Sequence, residues 1–134
     1  MFEKKFKMNK LANCIFSGEH KLKWDGNFID FTFTPFEDLK HCGILYSINK
    51  KQMQFWQRDF YEKTMTVMHE GALYRLSSSC YDQTDVGMAP GDYPLPQNTI
   101  RADSEISIAK MERMADGKIK LVFISKTNLF LNAP

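Results

Sequence analysis

The feature of this chain that most constrains its fold is a pair of extended segments joined by a tight turn. Residues 59–69 alternate in polarity, end at Glu70-Gly71, and are followed by a second extended run over residues 72–80. A glycine-containing turn between two such runs is typical of a β-hairpin, because its backbone twist matches that of paired strands. The sequence therefore predicts an antiparallel hairpin near its centre.

A second hairpin is predicted towards the C-terminal end. Residues 100–114 alternate through Ile106 and Ile108, Asp116-Gly117 supplies another tight turn, and residues 118–127 return with alternating side chains. Alternation with a period of two is expected of strands that bury one face. The two hairpins alone account for four strands.

Shorter elements precede the hairpins. Residues 28–34 alternate strictly up to Pro35, which predicts a half-buried strand, and residues 43–48 form a second short strand. Residues 11–24 predict a helix that is interrupted at Ser17-Gly18. Together these elements predict an antiparallel sheet of five or six strands with little helix to cover its apolar face.

The stretch from residue 82 to residue 97 differs from the rest of the chain. It holds three Pro, two Gly and three Asp, with hardly any β-branched residue. This composition predicts a loop, and a loop of about fifteen residues is long enough to indicate a functional or covering role.

Composition limits the class of protein. With 134 residues, 43% of them hydrophobic, the chain is sufficient for one domain with a real core. The 18 Lys and Arg against 16 Asp and Glu leave a charge of +2, which is too balanced for binding led by nucleic-acid phosphates. No apolar run approaches the roughly 18 residues of a membrane span, and the N-terminal apolar run is too short for a signal peptide.

The charge is uneven along the chain. Residues 1–23 hold six Lys against Glu3 and Glu19, which gives this segment +4 and leaves −2 for the rest. A basic arm of this kind binds anionic lipid or nucleic acid in some proteins and is a solvated, frayed terminus in others. The sequence thus predicts a basic N-terminal arm, residues 1–19, followed by a domain, residues 20–134.

The residue types that bind metals or perform catalysis show no motif. Cys14, Cys42 and Cys80 lack the paired spacing of zinc sites, and a sparse, odd set without a secretion signal indicates reduced thiols. No glycine-rich phosphate loop and no G-x-S-x-G motif occurs, and the acidic residues of the loop lack EF-hand spacing. We therefore predict no metal, no cofactor and no enzymatic activity.

Several short motifs occur in an order that is typical of one known family. They are Lys23-Trp24-Asp25, Arg58-Asp59-Phe60, Ser77-Ser78-Ser79, Ile100-Arg101-Ala102, and a last strand that closes on Asn128 and Pro134. No single triplet is specific, but this order over residues 20–134 is hard to obtain by accident. In this order of motifs the chain resembles the START domain, the lipid-transfer domain related to the steroidogenic acute regulatory protein.

The resemblance implies an α+β fold with a curved antiparallel β-sheet of the START helix-grip type. It implies non-enzymatic lipid binding or lipid transfer in a closed apolar cavity, with a phospholipid or sterol as partner and a membrane surface as transient contact. It also implies a cytoplasmic location, peripheral at membranes. The alternative is a START-like protein-interaction module, or a degenerate fragment without bound lipid, in which the Phe and Met side chains pack a solid core.

The chain departs from the family pattern at both ends. The N-terminal helix and the C-terminal lid helix of the family have no counterpart here, so residues 20–134 are predicted to be a partial START-like lipid-binding domain. The last motif is degraded, with Asn128 in place of Asp and Leu131 in place of Gly. Without a lid the sheet would expose apolar area. Three outcomes follow: a truncated gene model, a homodimer that covers this face, or a domain that has lost lipid binding.

The resemblance also indicates where polar groups enter the cavity. In sterol-binding members a basic residue follows the R-D-F arginine by six positions and meets an acidic partner. That position is Thr64 here, and the partner position, near Leu45 or Tyr46, is not acidic. The buried ion pair of the family is therefore predicted to be absent. The loss of both partners together is self-consistent, because one charge alone would be costly to bury.

Strand alternation places Phe60, Glu62, Thr64 and Thr66 on one face, and we assign this face to the cavity. Glu62 either binds a headgroup or lies in solvent, and the serines of the partner strand either contact lipid or line an exposed edge. The predicted lipid-binding residues are Phe60, Glu62, Thr64, Thr66, Ser77, Ser79, Ile106 and Ile108.

Other motif residues are predicted to be structural. Arg58, Asp59 and Asp25 would tie the R-D-F strand to the preceding helix, with Trp24 packed beneath them. Arg101 receives the same interpretation.

The loop over residues 49–57 resembles in position the Ω-loop that gates the START cavity. The loop combines two lysines with a methionine and two aromatic residues. Lysines bind lipid phosphates and aromatic rings lie at the headgroup level of a bilayer, so this combination favours a membrane interface. Roughly 1 kcal/mol per lysine near an anionic surface predicts weak, reversible docking. The alternative is that the two aromatic rings fold inward as part of the core. The predicted docking residues are Lys50, Lys51, Met53, Phe55 and Trp56.

Overall fold

The structure, a computed structural model, describes residues 7–39, 41–80 and 95–131. Within these ranges the chain forms two helices and seven strands. They are α1 (Met8–Phe16), α2 (Gly18–Trp24), β1 (Phe28–Pro35), β2 (Cys42–Asn49), β3 (Gln57–His69), β4 (Ala72–Ser79), β5 (Thr99–Arg101), β6 (Asp103–Arg113) and β7 (Ile119–Asn128).

The strands form one sheet in the order β1-β2-β3-β4-β6-β7, with β5 joined to β3. Both predicted hairpins are present, β3 with β4 and β6 with β7. Glu70 and Gly71 have φ angles of 49° and 77°, the left-handed backbone that a two-residue hairpin turn needs. Gly117, at φ 82°, serves the second turn in the same way.

The predicted helix is present as two short helices. Ser17 has extended backbone, which ends α1, and its carbonyl accepts from Lys21 N in the first turn of α2. The interruption predicted at Ser17-Gly18 is thus confirmed. Helix α1 begins at Met8, inside the range that the sequence assigns to the basic arm.

The strand predicted over residues 100–114 is two strands with different partners. β5 runs parallel to the start of β3, whereas β6 is antiparallel to β4. The two strands are separated by the buried Ala102, whose N–H donates to Asp59 O at 2.9 Å. The split arises because β4 ends opposite Glu62, which leaves the first residues of β3 free to pair with β5.

The sheet has two faces, and we call the one that carries α1 and α2 the inner face. Thr64, Ser77 and Ser107 are successive cross-strand partners on it. The reverse, or outer, face carries the main cluster of buried apolar side chains. This cluster comprises Ile44, Tyr46 and Tyr61, with Phe36, Ile48 and Cys80 packed against it.

The predicted loop over residues 82–97 lies outside the described residues, except for its last three positions. Among the residues that are described, no helix is both long enough and apolar enough to cross a lipid bilayer.

Candidate functional site

An open cleft of about 690 Å³ lies between the two helices and the inner face of the sheet. Its walls are mostly apolar. Strand alternation brings the phenylalanines of β1 to this face, because alternate side chains point the same way. The apolar side chains that line the cleft are Ala12, Phe16, Leu22, Phe31, Phe33 and Leu73.

Arg75 is a buried cation at this cleft, with 7% of its surface exposed. Its Nη1 donates to the backbone oxygen of Phe16 at 3.2 Å, which links β4 to α1. Its guanidinium carbon lies 4.8 Å from the ring centre of Phe16 and 5.6 Å from that of Phe33, within cation–π range. Burial lowers the pKa of Arg75 to about 10, so the side chain is charged at neutral pH.

Thr64 connects the polar groups of the inner face. Its hydroxyl accepts from Arg75 Nε at 3.2 Å and from Ser77 Oγ at 2.9 Å, and donates to Leu76 O at 3.1 Å. A hydroxyl can donate once and accept twice, so the bonding capacity of Thr64 is filled. The side chain is buried.

Glu62 is a second ionisable group buried on the inner face. Burial raises the pKa of its carboxyl, while hydrogen bonding to Ser104 and the charge of Arg75 act in the opposite direction. Polar side chains continue along the inner face towards β7. Ser104 N donates to Ser79 Oγ at 2.7 Å, and the hydroxyls of Ser104 and Thr127 lie 2.9 Å apart. A buried acid and a buried base thus share one face without forming a direct ion pair.

Six of the eight predicted lipid-binding residues share the inner face. The register of β3 with β4 pairs Glu62 with Ser79 and Thr64 with Ser77. Both serines are buried there, so neither lies at an exposed edge, and Glu62 does not lie in solvent. The six are Phe60, Glu62, Thr64, Thr66, Ser77 and Ser79.

The other two predicted residues, Ile106 and Ile108, do not share the inner face. Ile108 pairs with Leu76, the neighbour of Ser77, and therefore points to the outer face. A bulge between Ser104 and Ile106 shifts the register of β6, and Ile106 follows to the same outer side. The predicted alternation of β6 is present, but which side chains face inward depends on the register of β6 with β4, and this is a long-range pairing.

Sequence reasoning missed Arg75, although a signal was present. The two-residue turn at Glu70-Gly71 fixes the hairpin register, so counting back from it places Arg75 opposite Thr66. The basic residue therefore enters the inner face from β4, whereas the family resemblance led us to look for it on β3.

The predicted docking loop connects β2 to β3. Met53 lies at its tip with 85% of its surface exposed and a φ of 53°. Trp56 is 39% exposed, and Phe55 is half-buried. Lys50 and Lys51 are exposed. The loop therefore presents one large apolar side chain fully to solvent, and its aromatic rings are only partly buried.

A small cleft of about 200 Å³ lies under this loop. Phe55 and Trp56 line one side, and Leu129 and Leu131, beyond β7, line the other. Arg58 holds the two segments together: its Nη1 donates to Trp56 O at 2.5 Å, its Nε to Leu129 O at 2.6 Å, and its Nη2 to Phe130 O at 3.0 Å.

The predicted structural residues have different partners from those expected. Arg58 binds carbonyls, and Asp59 instead pairs with Arg101, whose Nη2 lies 2.8 Å from its Oδ2. Asp25 pairs with Lys21 of α2 at 3.0 Å. Trp24 does not pack beneath them, because it is 56% exposed and its indole donates to Cys14 O.

In the part of the chain that the structure describes, no group of three or more His, Cys, Asp or Glu side chains is arranged to hold a metal ion.

No protein-family model and no curated protein matches this sequence. Solved structures match it in fold. Human STARD10 is similar with a TM-score of 0.73 and 13% identity, over 90% of this chain and 45% of that chain. Human StAR-related lipid transfer protein 5 is similar with a TM-score of 0.73 and 15% identity, over 90% of this chain and 55% of that chain.

A third match is the lipid transfer and protein localization domain of human StarD13, with a TM-score of 0.69 and 18% identity over 91% of this chain and 57% of that one. All three are START-domain proteins. The START helix-grip fold predicted from the motif order is thus confirmed. The chain spans about half the length of the structures it matches.

Proposed function

We propose that this chain binds a lipid on the inner face of its sheet and carries it without enzymatic chemistry. The observation that supports this most is the arrangement of the cleft: apolar side chains form its walls, and a hydrogen-bonded row of buried polar groups adjoins it. Small-molecule sites typically combine apolar walls with a few placed polar groups. Two of the structural neighbours carry lipid transfer in their names.

The phenylalanines and leucines of the cleft favour a hydrocarbon chain over a polar ligand. Transfer of apolar surface from water contributes about 25 cal/mol per Å² buried, so even one acyl chain gains several kcal/mol. The polar row supplies what a purely apolar pocket lacks, namely donors and acceptors that fix the orientation of a headgroup. Thr64 is already saturated, so Arg75, which lines the cleft, is the group through which this row would contact a ligand.

Native mass spectrometry of protein purified from cells tests this proposal. A co-purified lipid supports it, whereas a persistent dimer without lipid favours the alternative, a protein-interaction module that covers its open face with a second copy. Thr66→Phe would fill the cleft from the inner face of β3 and should abolish lipid retention. Thr34→Phe, at an exposed position on the outer face of β1, is the matched control and should retain lipid.

We further propose that the loop between β2 and β3 docks on membranes while lipid is exchanged. Met53 and Trp56 would enter the headgroup region, and Lys50 and Lys51 would contact anionic phosphates. With this docking we propose a cytoplasmic location and transient attachment to membranes. The exposed side chain of Met53 supports the idea, because apolar area at a loop tip gains nothing by contact with water.

Vesicle flotation tests the docking. The wild type should bind phosphatidylcholine vesicles that contain phosphatidylserine, and added salt should weaken binding because it screens the lysines. Met53→Ser with Trp56→Ser should abolish binding, and Lys50→Gln with Lys51→Gln should remove its dependence on phosphatidylserine. The control is Lys118→Gln with Lys120→Gln, two exposed lysines at the opposite hairpin. Equal binding by all variants would refute docking through this loop.

A further inference from the structure

The guanidinium of Arg75 retains unused hydrogen-bonding capacity at the cleft. Among the described residues its hydrogen bonds run from Nε to Thr64 and from Nη1 to Phe16, and Nη2 donates to none of them. The side chain is more than nine-tenths buried and lines the cleft. This nitrogen is therefore a donor that a ligand in the cleft could engage without displacing another protein contact.

The position of the guanidinium is fixed before any ligand binds. Two hydrogen bonds hold it, and the rings of Phe16 and Phe33 flank it at cation–π distances. The remaining nitrogen is therefore presented with little conformational freedom left to lose. Pre-organisation of this kind increases affinity, because the side chain does not have to be ordered when a ligand arrives.

The nearby acid does not neutralise Arg75 through contact. Glu62 acts on Arg75 through its charge, and burial raises the pKa of the Glu62 carboxyl. A cation that forms no ion pair with Glu62 can compensate one negative charge of a ligand. This favours a singly charged head group over a phosphate monoester, which carries nearly two charges at neutral pH.

Resting on the proposed function, we propose that the lipid of this cleft is a single-chain carboxylate, a long-chain fatty-acid anion. Its carboxylate would accept from Nη2 of Arg75, and its acyl chain would lie along Phe31, Phe33 and Leu73. Guanidinium and carboxylate form strong charge-assisted bonds. The 690 Å³ of the cleft falls in the roughly 300–1,000 Å³ range of small-ligand sites, which suits one acyl chain better than two.

Competition binding on the full chain tests this proposal. A fatty acid labelled at its methyl end with a fluorophore is bound first, and unlabelled palmitate or cetyl alcohol then displaces it at neutral pH below micellar concentrations. Both competitors have the same chain and differ only at the head. Palmitate should displace at least about tenfold better, since a hydrogen bond to a charged group contributes about 1.5–3 kcal/mol. Acetate, which has the head without the chain, should not displace.

The variant Arg75→Met keeps an unbranched apolar side chain without charge or donors and should remove the preference for palmitate, while Arg75→Lys should keep part of it. Lys120→Met, on the outer side of β7, removes one exposed positive charge and should change nothing. The two competitors are compared on the wild type without any variant. The proposal can therefore still be tested if Arg75→Met does not fold.

The possible outcomes separate the two proposals. Equal displacement by palmitate and cetyl alcohol from the wild type overturns the role of Arg75 but leaves lipid binding intact. Displacement by acetate shows a site for small anions and overturns the fatty-acid proposal. If the labelled fatty acid does not bind and native mass spectrometry finds no lipid, both proposals fail.

Discussion

Asp59 and Arg101 are register partners in the parallel pairing of β3 with β5, and their side chains bind each other. Arg101 donates from Nε to Asp59 Oδ1 at 3.2 Å and from Nη2 to Oδ2 at 2.8 Å. Tyr46 donates to the same carboxylate at 3.0 Å. Asp59 is fully buried, so this bidentate contact fixes β5 and compensates a charge that water cannot reach.

Replacement of Asp59 by Ala should destabilise the protein by about 3–5 kcal/mol, because it leaves Arg101 without its buried counter-charge and Tyr46 without its acceptor. Urea unfolding followed by circular dichroism measures the change. Glu105→Ala is the matched control: it also breaks an ion pair, with Lys126, but both side chains are largely exposed. The control should lose less than about 1 kcal/mol, and equal losses would contradict the assignment.

Gly43 is expected to tolerate no side chain. A Cβ at this position would meet the backbone oxygen of Thr34, and would lie 2.7 Å from Cε2 of Phe33 and 2.8 Å from Cα of Pro35. Two of these three atoms are backbone and cannot move aside, so Gly43→Ala should destabilise by at least the roughly 1–3 kcal/mol of ordinary overpacking. Gly26→Ala, where no atom lies within 4 Å, should leave the melting temperature nearly unchanged. Similar melting temperatures for both variants would show that β1 and β2 separate easily.

Arg58 should control how firmly the segment after β7 is held. Its three donors bind the carbonyls of Trp56, Leu129 and Phe130, and it is buried. Arg58→Met should therefore increase amide hydrogen exchange over residues 129–131 and in the docking loop, with little change in β6. Arg113→Met, which removes an exposed arginine bonded to Gly117 O, is the control. Unchanged exchange in Arg58→Met would mean that other contacts hold this segment.

Glu62 should make stability fall as pH rises above the ordinary carboxyl range. Because burial raises the pKa of Glu62 in the folded state, the unfolded chain releases this proton at a lower pH than the folded chain does. The folded state therefore binds more protons between the ordinary carboxyl pKa of 4.5 and the raised pKa, and stability declines across that interval. Glu62→Gln cannot ionise, so its stability relative to the wild type should improve from acid to neutral pH.

Urea unfolding of both proteins across this pH interval measures the difference. Glu105→Gln, an exposed carboxyl on β6, should track the wild type at every pH. A stability difference between Glu62→Gln and the wild type that does not vary with pH would show that Glu62 titrates normally in the fold.

The accuracy of the sequence predictions depended on the distance over which each interaction acts. Alternation and turn chemistry are local, so the hairpin around Glu70-Gly71 and the shared face of Glu62 and Thr64 were predictable. Ile106 and Ile108 lie on the opposite face from Glu62 and Thr64, because a bulge and the pairing of β6 with β4 set the phase of that strand. The division of residues 100–114 into β5 and β6 at Ala102 was not predicted for a related reason. The partner of β5 is the start of β3, which is distant in sequence.

The sequence by itself determined the START-type sheet, its turns, and which side chains alternate along each strand, since these follow from periodicity and motif order. Tertiary structure alone decided which of those side chains meet. Arg75 lies on Thr64 and beneath α1 because the hairpin register and the helix position coincide there. Asp59 meets Arg101 across 42 residues of chain. Such encounters depend on the relative register of whole strands, and no local pattern carries that information.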